Sequence, residues 1–162
     1  MNFVYLVESL LAEKAQPKML KRYAIVVPPT TKKECIEALL SDKKMSEGPW
    51  AMNVKGKTVE MTAEEALKKM DLNTLRHEAL HALQNKTIPG IFRNLPKLTH
   101  SFDSSEEYKM AHYFNRPPEI MAYAYDSVMN VNRKENDRIF KKIGGDVYDL
   151  YNHYKEEYKK VL

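Results

Sequence analysis

His77, Glu78 and His81 stand in the run Thr74-Leu75-Arg76-His77-Glu78-Ala79-Leu80-His81-Ala82-Leu83-Gln84, an HExxH arrangement. On a helix, residues four apart share a face, so both imidazoles can reach one cation while Glu78 addresses the coordination position left open. This is the chemistry of a hydrolytic zinc site. Zinc on such ligands lowers the pKa of its water to about 7 and polarises a carbonyl, and Glu78 is placed to take the water proton and pass it to a leaving amine. The plainer alternative is a helix whose histidines only make hydrogen bonds.

The segment suits a buried helix. Ala79, Leu80, Ala82 and Leu83 favour helix, neither Gly nor Pro interrupts Leu72 to Asn85, and Leu75, Ala79, Ala82 and Leu83 give it apolar faces. Two histidines and a glutamate in such a setting need partners, because unpaired polar groups are costly there.

A catalytic zinc normally takes three protein ligands. After His81 comes Ala-Leu-Gln-Asn-Lys-Thr-Ile-Pro-Gly, without the early histidine of the extended metzincin pattern. The expected third ligand is Glu119, in Arg116-Pro117-Pro118-Glu119-Ile120-Met121-Ala122-Tyr123-Ala124-Tyr125-Asp126. Pro117 suits a first helical turn, which puts Glu119 near the helix start. A carboxylate is favoured there by the helix dipole even without a metal. Small Ala122 and Ala124 permit close helix approach, and Tyr123 and Asp126 project on roughly the side of Glu119. His100 and His112 are rival ligands. As donors to a developing oxyanion the neighbourhood offers Tyr113, Tyr123, Tyr125 and His112, and Tyr123 joins Glu78 as an expected catalytic residue.

These stretches resemble the gluzincin-type zinc metallopeptidases, above all their small, phage-borne and minimal versions. The resemblance covers roughly Trp50 to Asn130 and rests on His77-Glu78-Ala79-Leu80-His81-Ala82-Leu83-Gln84 and Pro118-Glu119-Ile120-Met121-Ala122-Tyr123-Ala124. It implies His77, His81 and Glu119 as Zn2+ ligands, Glu78 as general base and a peptide or protein substrate. Many members carry an acidic residue one turn after the ligand glutamate to orient a histidine. Here that place holds Tyr123, and Asp126 is the available substitute.

Several elements must position these residues. Tyr23-Ala24-Ile25-Val26-Val27 reads as a short buried strand stopped by Pro28-Pro29, and Thr31 to Ser41 as a helix capped by Thr30 or Thr31. Trp50 to Val54 and Thr58 to Met61 flank Lys55-Gly56-Lys57 as a hairpin. Thr62 and Glu65 form a capping box for a helix through Met70, and Asp71 or Asn73 starts the HExxH helix. Asn85 to His100 reads as a turn-rich rim, and Asp103 to Glu106 as the cap of a helix reaching Phe114. Ile139, Phe140 and Ile143 lead to a stop at Gly144-Gly145. Val147, Tyr151, Tyr154, Tyr158 and Val161 then form a helical stripe suited to a core or to a protein partner.

The pattern predicts an α+β, zincin-like fold, mainly helical, with a small sheet packed on the active-site helix. The hairpin edge would serve either to hold an extended peptide or simply to cover the core. A chain of 162 residues, 43% hydrophobic and 30% charged, is one domain's worth. Its expected parts are an N-terminal helix and strand region (1–49), a catalytic core (50–132) and C-terminal helices (133–162).

Cys35 is the single cysteine, so no intrachain disulfide forms and a reducing compartment is expected. A thiolate masking the zinc is the functional reading for it, against an ordinary helix position. The start lacks a basic leader region and Glu8 interrupts its apolar run, so it reads as an amphipathic helix carrying Phe3, Val7, Leu10 and Leu11 rather than a signal peptide. No run is long enough to span a membrane. A cytoplasmic setting follows, or a virion-associated one if the chain is phage-encoded. The net charge of +4 and pI near 9.0 raise nucleic acid as a partner. Lysines interleaved with glutamates, as in Lys155-Glu156-Glu157-Tyr158-Lys159-Lys160, argue against specific binding.

Three functions remain in play: a zinc endopeptidase or peptidoglycan-directed amidase, a non-catalytic zinc-binding adaptor or phage assembly protein, and a basic nucleic-acid-associated module. A closed structural zinc would tolerate Glu78→Gln, whereas a hydrolase would lose turnover.

Overall fold

The structure is a computed structural model that describes residues 20–43, 49–93, 106 and 112–162. The expected N-terminal helix with Phe3, Val7, Leu10 and Leu11, most of the helix from Asp103, and His100 lie outside those residues. The described chain is mixed helix and sheet, and mostly helical: α1 (Lys32–Leu40), β1 (Trp50–Val54), β2 (Lys57–Met61), α2 (Ala63–Lys69), α3 (Leu72–Thr87), α4 (Pro117–Val128), α5 (Arg133–Ile143) and α6 (Gly145–Val161).

Local sequence explains most boundaries. Thr31 caps α1 by accepting from the Glu34 amide at 3.2 Å. Thr62 and Glu65 exchange side-chain and backbone bonds in a capping box at the start of α2. Asp71 starts α3, taking the Thr74 amide at 2.9 Å. Pro117 and Pro118 open α4, where missing amide donors do no harm. Gly144 ends α5 with φ +68.

The hairpin pairs β1 and β2 antiparallel, with Val54 opposite Lys57. Its loop is therefore Lys55-Gly56 rather than three residues, and both take positive φ, +52 and +81. That is a type I′ turn, whose twist matches the strands. The hairpin does not lay a sheet face on α3 as expected. Its helix neighbour is α2, β2 is exposed up to Met61, and Trp50 provides the link to the core.

Tyr23 to Val27 is a second departure. These residues are not part of a strand. Tyrosines of α6 take their backbone groups instead: the Tyr23 amide donates to the Tyr154 hydroxyl at 3.1 Å, and the Tyr158 hydroxyl donates to the Val26 carbonyl at 2.7 Å. β-propensity describes fit to a pleated surface, and side-chain hydroxyls can satisfy an extended backbone where no strand edge is present.

Two apolar clusters hold α3 in place. Leu75 and Ala79 pack with Cys35 and Leu39 of α1 and Leu67 of α2. Leu80 joins the larger cluster of Ile120, Met121, Ala122, Ala124 and Tyr125 from α4, Phe140 from α5, and Leu150, Tyr151, Tyr154 and Tyr158 from α6. The tyrosine stripe of α6 is thus core, filled by the chain itself, while Val161 stays exposed. Phe140 and Tyr151 stack at 4.2 Å, and Phe140 in turn meets Tyr123 at 6.2 Å, so an aromatic chain runs from the core to the HExxH face.

A directed polar chain ties α4 to α5 and α6. Asn136 donates to Ser127 Oγ at 3.2 Å, Ser127 pairs with the Tyr151 hydroxyl at 2.7 Å, and Tyr151 donates to Asp137 at 2.6 Å beside Lys155 at 2.8 Å. Because Tyr151 gives its proton to Asp137, it must accept from Ser127, and every buried member is satisfied. Among the described residues, no helix is long and apolar enough to cross a membrane.

Candidate metal centre

The face of α3 left between its two apolar clusters carries His77, His81 and Gln84, and it meets the first turns of α4. Among the described residues, the group able to hold a metal is His77, His81 and Glu119, whose donor atoms all lie within 4.8 Å of one another. His81 Nε2 stands 2.9 Å from Glu119 Oε1, His77 Nε2 stands 3.5 Å from Glu119 Oε2, and the two Nε2 atoms are 3.2 Å apart.

The outer ring atoms fix the tautomers. His77 Nδ1 lies 2.7 Å from Asp126 Oδ2, and an ionised carboxylate can only accept, so Nδ1 carries the proton. His81 Nδ1 lies 2.8 Å from Gln84 Oε1, while Gln84 Nε2 donates to the Pro118 carbonyl at 3.1 Å. A carbonyl only accepts, which sets the amide orientation and makes His81 Nδ1 the donor. In the neutral rings both Nε2 atoms therefore present bare lone pairs to each other and to a carboxylate. Three electron-pair donors at such spacing repel unless a cation lies among them.

The donor set fits zinc. Nitrogen ligands at about 2.0–2.1 Å in a tetrahedral shell lie about 3.3 Å from each other, close to the separations found here. Each imidazole also has an outer partner of the type that orients metal-binding histidines. Without a metal, protons take the same place. Burial works against a charged His77, but Asp126 and Glu119 outweigh it and push its pKa up to about 10. Burial likewise opposes the Glu119 carboxylate, and His77 and His81 outweigh it, holding its pKa down at about 2. For His81 the balance of burial against Glu119 is also upward.

Glu78 lies in a cleft beside His77, with Asp71, Asn73, Thr74, Tyr113, Tyr123, Asp126, Val131 and Asn132. Tyr123 sets its ring against His77 at 5.0 Å. The Tyr113 hydroxyl is the one that reaches the Glu119 carboxylate, at 3.4 Å from Oε2, and it meets the Tyr123 hydroxyl at 3.5 Å. Burial above all pushes both tyrosine pKa values up, outweighing the lowering effect of the Tyr123 hydrogen bond on Tyr113, so both hydroxyls keep their protons as donors. Phe92 flanks the other side, its ring 6.1 Å from His81.

The structure thus brings together His77, His81, Glu119, Glu78, Tyr113, Tyr123 and Asp126. It does not bring in Tyr125, which is buried against Tyr158 at 5.3 Å, and His112 is not a member of the metal-capable group. Cys35 is a correction to the masking idea. It is fully buried in the α1–α3 cluster, its Sγ pointing at the Pro29 carbonyl at 3.3 Å, and burial raises its pKa. The hairpin supplies no side chain to the cleft beside Glu78. Gln84 and Phe92 carry no role in the sequence reading. Gln84 was detectable as a polar residue one turn from His81 on a helix otherwise built for burial, whereas Phe92 gives no local signal.

No protein-family model, curated protein or solved structure matches the chain.

Proposed function

We propose that this chain is a zinc-dependent hydrolase of zincin-like fold that cleaves an amide bond in a peptide or protein. The observation that carries the reading is the convergence of His77 Nε2, His81 Nε2 and the Glu119 carboxylate, with Glu78 in the adjoining cleft. His77, His81 and Glu119 would hold the ion, which when bound supplies Lewis-acid polarisation and an acidified water.

The chain's own residues would do the rest. Glu78, lining the cleft beside His77, would act as a general base that takes a proton from water and delivers it to the leaving nitrogen. Tyr113 and Tyr123 offer neutral hydroxyl donors beside the ligand carboxylate, where negative charge on a substrate oxygen would develop. Asp126 and Gln84 hold the imidazoles in the tautomer that leaves Nε2 free. The aromatic flanks Phe92 and Tyr113, both partly exposed, would shield the reacting atoms from bulk water.

The test is a zinc-loaded wild type and a zinc-loaded Glu78→Gln variant, assayed on a quenched-fluorescence peptide library. The proposal expects turnover in the wild type that a chelator abolishes and zinc restores. It also expects Glu78→Gln to keep its zinc while losing about 10²–10⁴-fold in rate. Equal turnover in the two proteins would remove Glu78 from the chemistry, and a zinc-loaded but inert wild type would favour the adaptor reading.

A further inference from the structure

Gln84 is the fully buried polar residue of the centre, with 0% of its surface exposed, and both ends of its amide are engaged. Oε1 takes the His81 Nδ1 proton at 2.8 Å and Nε2 gives a hydrogen to the Pro118 carbonyl at 3.1 Å. Pro118 immediately precedes Glu119. One side chain on α3 therefore grips the second imidazole with one hand and, with the other, the backbone next to the remote carboxylate.

We propose that Gln84 is the positioning residue that couples the two halves of the metal centre, selecting the His81 tautomer and fixing the first turn of α4 at the distance from α3 that lets Glu119 close the site. This rests on the metal-binding reading of His77, His81 and Glu119. The chemistry requires an amide, because the position needs an acceptor toward His81 and a donor toward Pro118 at once. Leu or Met would offer neither, Glu would offer only the acceptor, and Lys only the donor. The Arg116 N-cap makes no side-chain capping bond, so this first turn is anchored by Gln84 from outside the helix.

Two substitutions probe the two hands, one removing both and the other only the hold on Pro118. Gln84→Met keeps the volume but leaves His81 Nδ1 without an acceptor. Gln84→Glu keeps that acceptor, making the carboxylate–histidine pairing common at metal sites, but loses the donation to Pro118 and sets a charge against its carbonyl. The experiment measures zinc affinity by competition with a chromophoric chelator, the visible spectrum of the cobalt(II)-loaded proteins, and thermal unfolding of the metal-free proteins.

The expected result is an opposite ordering in the two properties. Gln84→Met should lose about 10–100-fold in zinc affinity and shift the cobalt spectrum. Gln84→Glu, which keeps the His81 acceptor and loses only the hold on Pro118, should bind zinc up to about fivefold more weakly than the wild type, and should melt at lower temperature than Gln84→Met because it alone sets a buried charge against the Pro118 carbonyl. Zinc affinity of Gln84→Met within twofold of the wild type, or a Gln84→Glu protein that binds zinc as weakly as Gln84→Met, would overturn the assignment. A wild type that binds no zinc would instead bring down the metal-centre reading beneath it. If Gln84→Met does not fold, the Gln84→Glu affinity decides alone: near wild type supports the acceptor role, and a loss beyond tenfold refutes it.

Discussion

Asp126 grips His77 Nδ1 at 2.7 Å from a position two helical turns beyond Glu119, whose Oε2 faces the Nε2 of the same ring at 3.5 Å. A single helix, α4, thus holds one imidazole at both nitrogens. Positions seven apart share a helical face, so this needs only that α4 lie along α3, and small Ala122 and Ala124 help to allow it. Replacing Asp126 by alanine should lower zinc affinity about 10–100-fold while leaving the other ligands in place, as outer partners of metal-bound histidines do. Chelator competition on the purified variant measures this, and unchanged affinity would contradict it.

The proton balance gives a pH prediction for the metal-free protein. His77 is raised from 6.5 to about 10, so its contribution to stability is fully present below about 6.5 and is lost as pH rises through about 10. Glu119 is lowered from 4.5 to about 2, so its contribution is present above about 4.5 and is lost as pH falls through about 2. Metal binding must displace the His77 proton, so zinc affinity should climb with pH across the range from about 6 to 10 with protons released to the buffer. Calorimetry in buffers of different ionisation enthalpy reads that release directly, and pH-independent zinc uptake would count against it.

Core and centre should separate by mutation. Tyr151→Phe leaves Ser127 and Asp137 without their shared partner and should destabilise the fold by about 1–3 kcal/mol. Phe140→Ala removes the ring stacked on Tyr151 and should cost about 3–5 kcal/mol. Chemical denaturation measures both, and the Tyr151 variant should keep its zinc affinity.

Tyr158→Phe tests the segment that failed to become a strand. Losing the 2.7 Å bond to the Val26 carbonyl should loosen residues 23–27 and expose them to limited proteolysis before any other described part of the chain. An unchanged digestion pattern would show that the Tyr23 bond to Tyr154 and the apolar contacts suffice to hold the segment.

What the sequence disclosed follows from the range of the forces involved. Thr31, Thr62 with Glu65, Asp71 and Pro117 act within one helical turn, so the elements they begin could be read from neighbours alone. His77 and His81 share a face by helical period, which is also local. Asp126 could be suspected because it sits on the face of Glu119. Gln84 could not be assigned, because its role exists only once Pro118 of another helix has come within 3.1 Å. The run from Tyr23 to Val27 misled for the same reason: its partner is not a strand but hydroxyls about 130 residues away, and nothing in the segment itself records them.

The central claim is that His77, His81 and Glu119 bind one divalent ion between α3 and α4. It is tested most directly by zinc stoichiometry together with anomalous scattering from crystals of the zinc-loaded wild type, alongside His81→Ala and Glu119→Ala. The account predicts one zinc per chain, with the anomalous peak between the two Nε2 atoms and the Glu119 carboxylate, and loss of that peak in both variants. A wild type that takes up no zinc, or a peak at some other place that survives both substitutions, would contradict it.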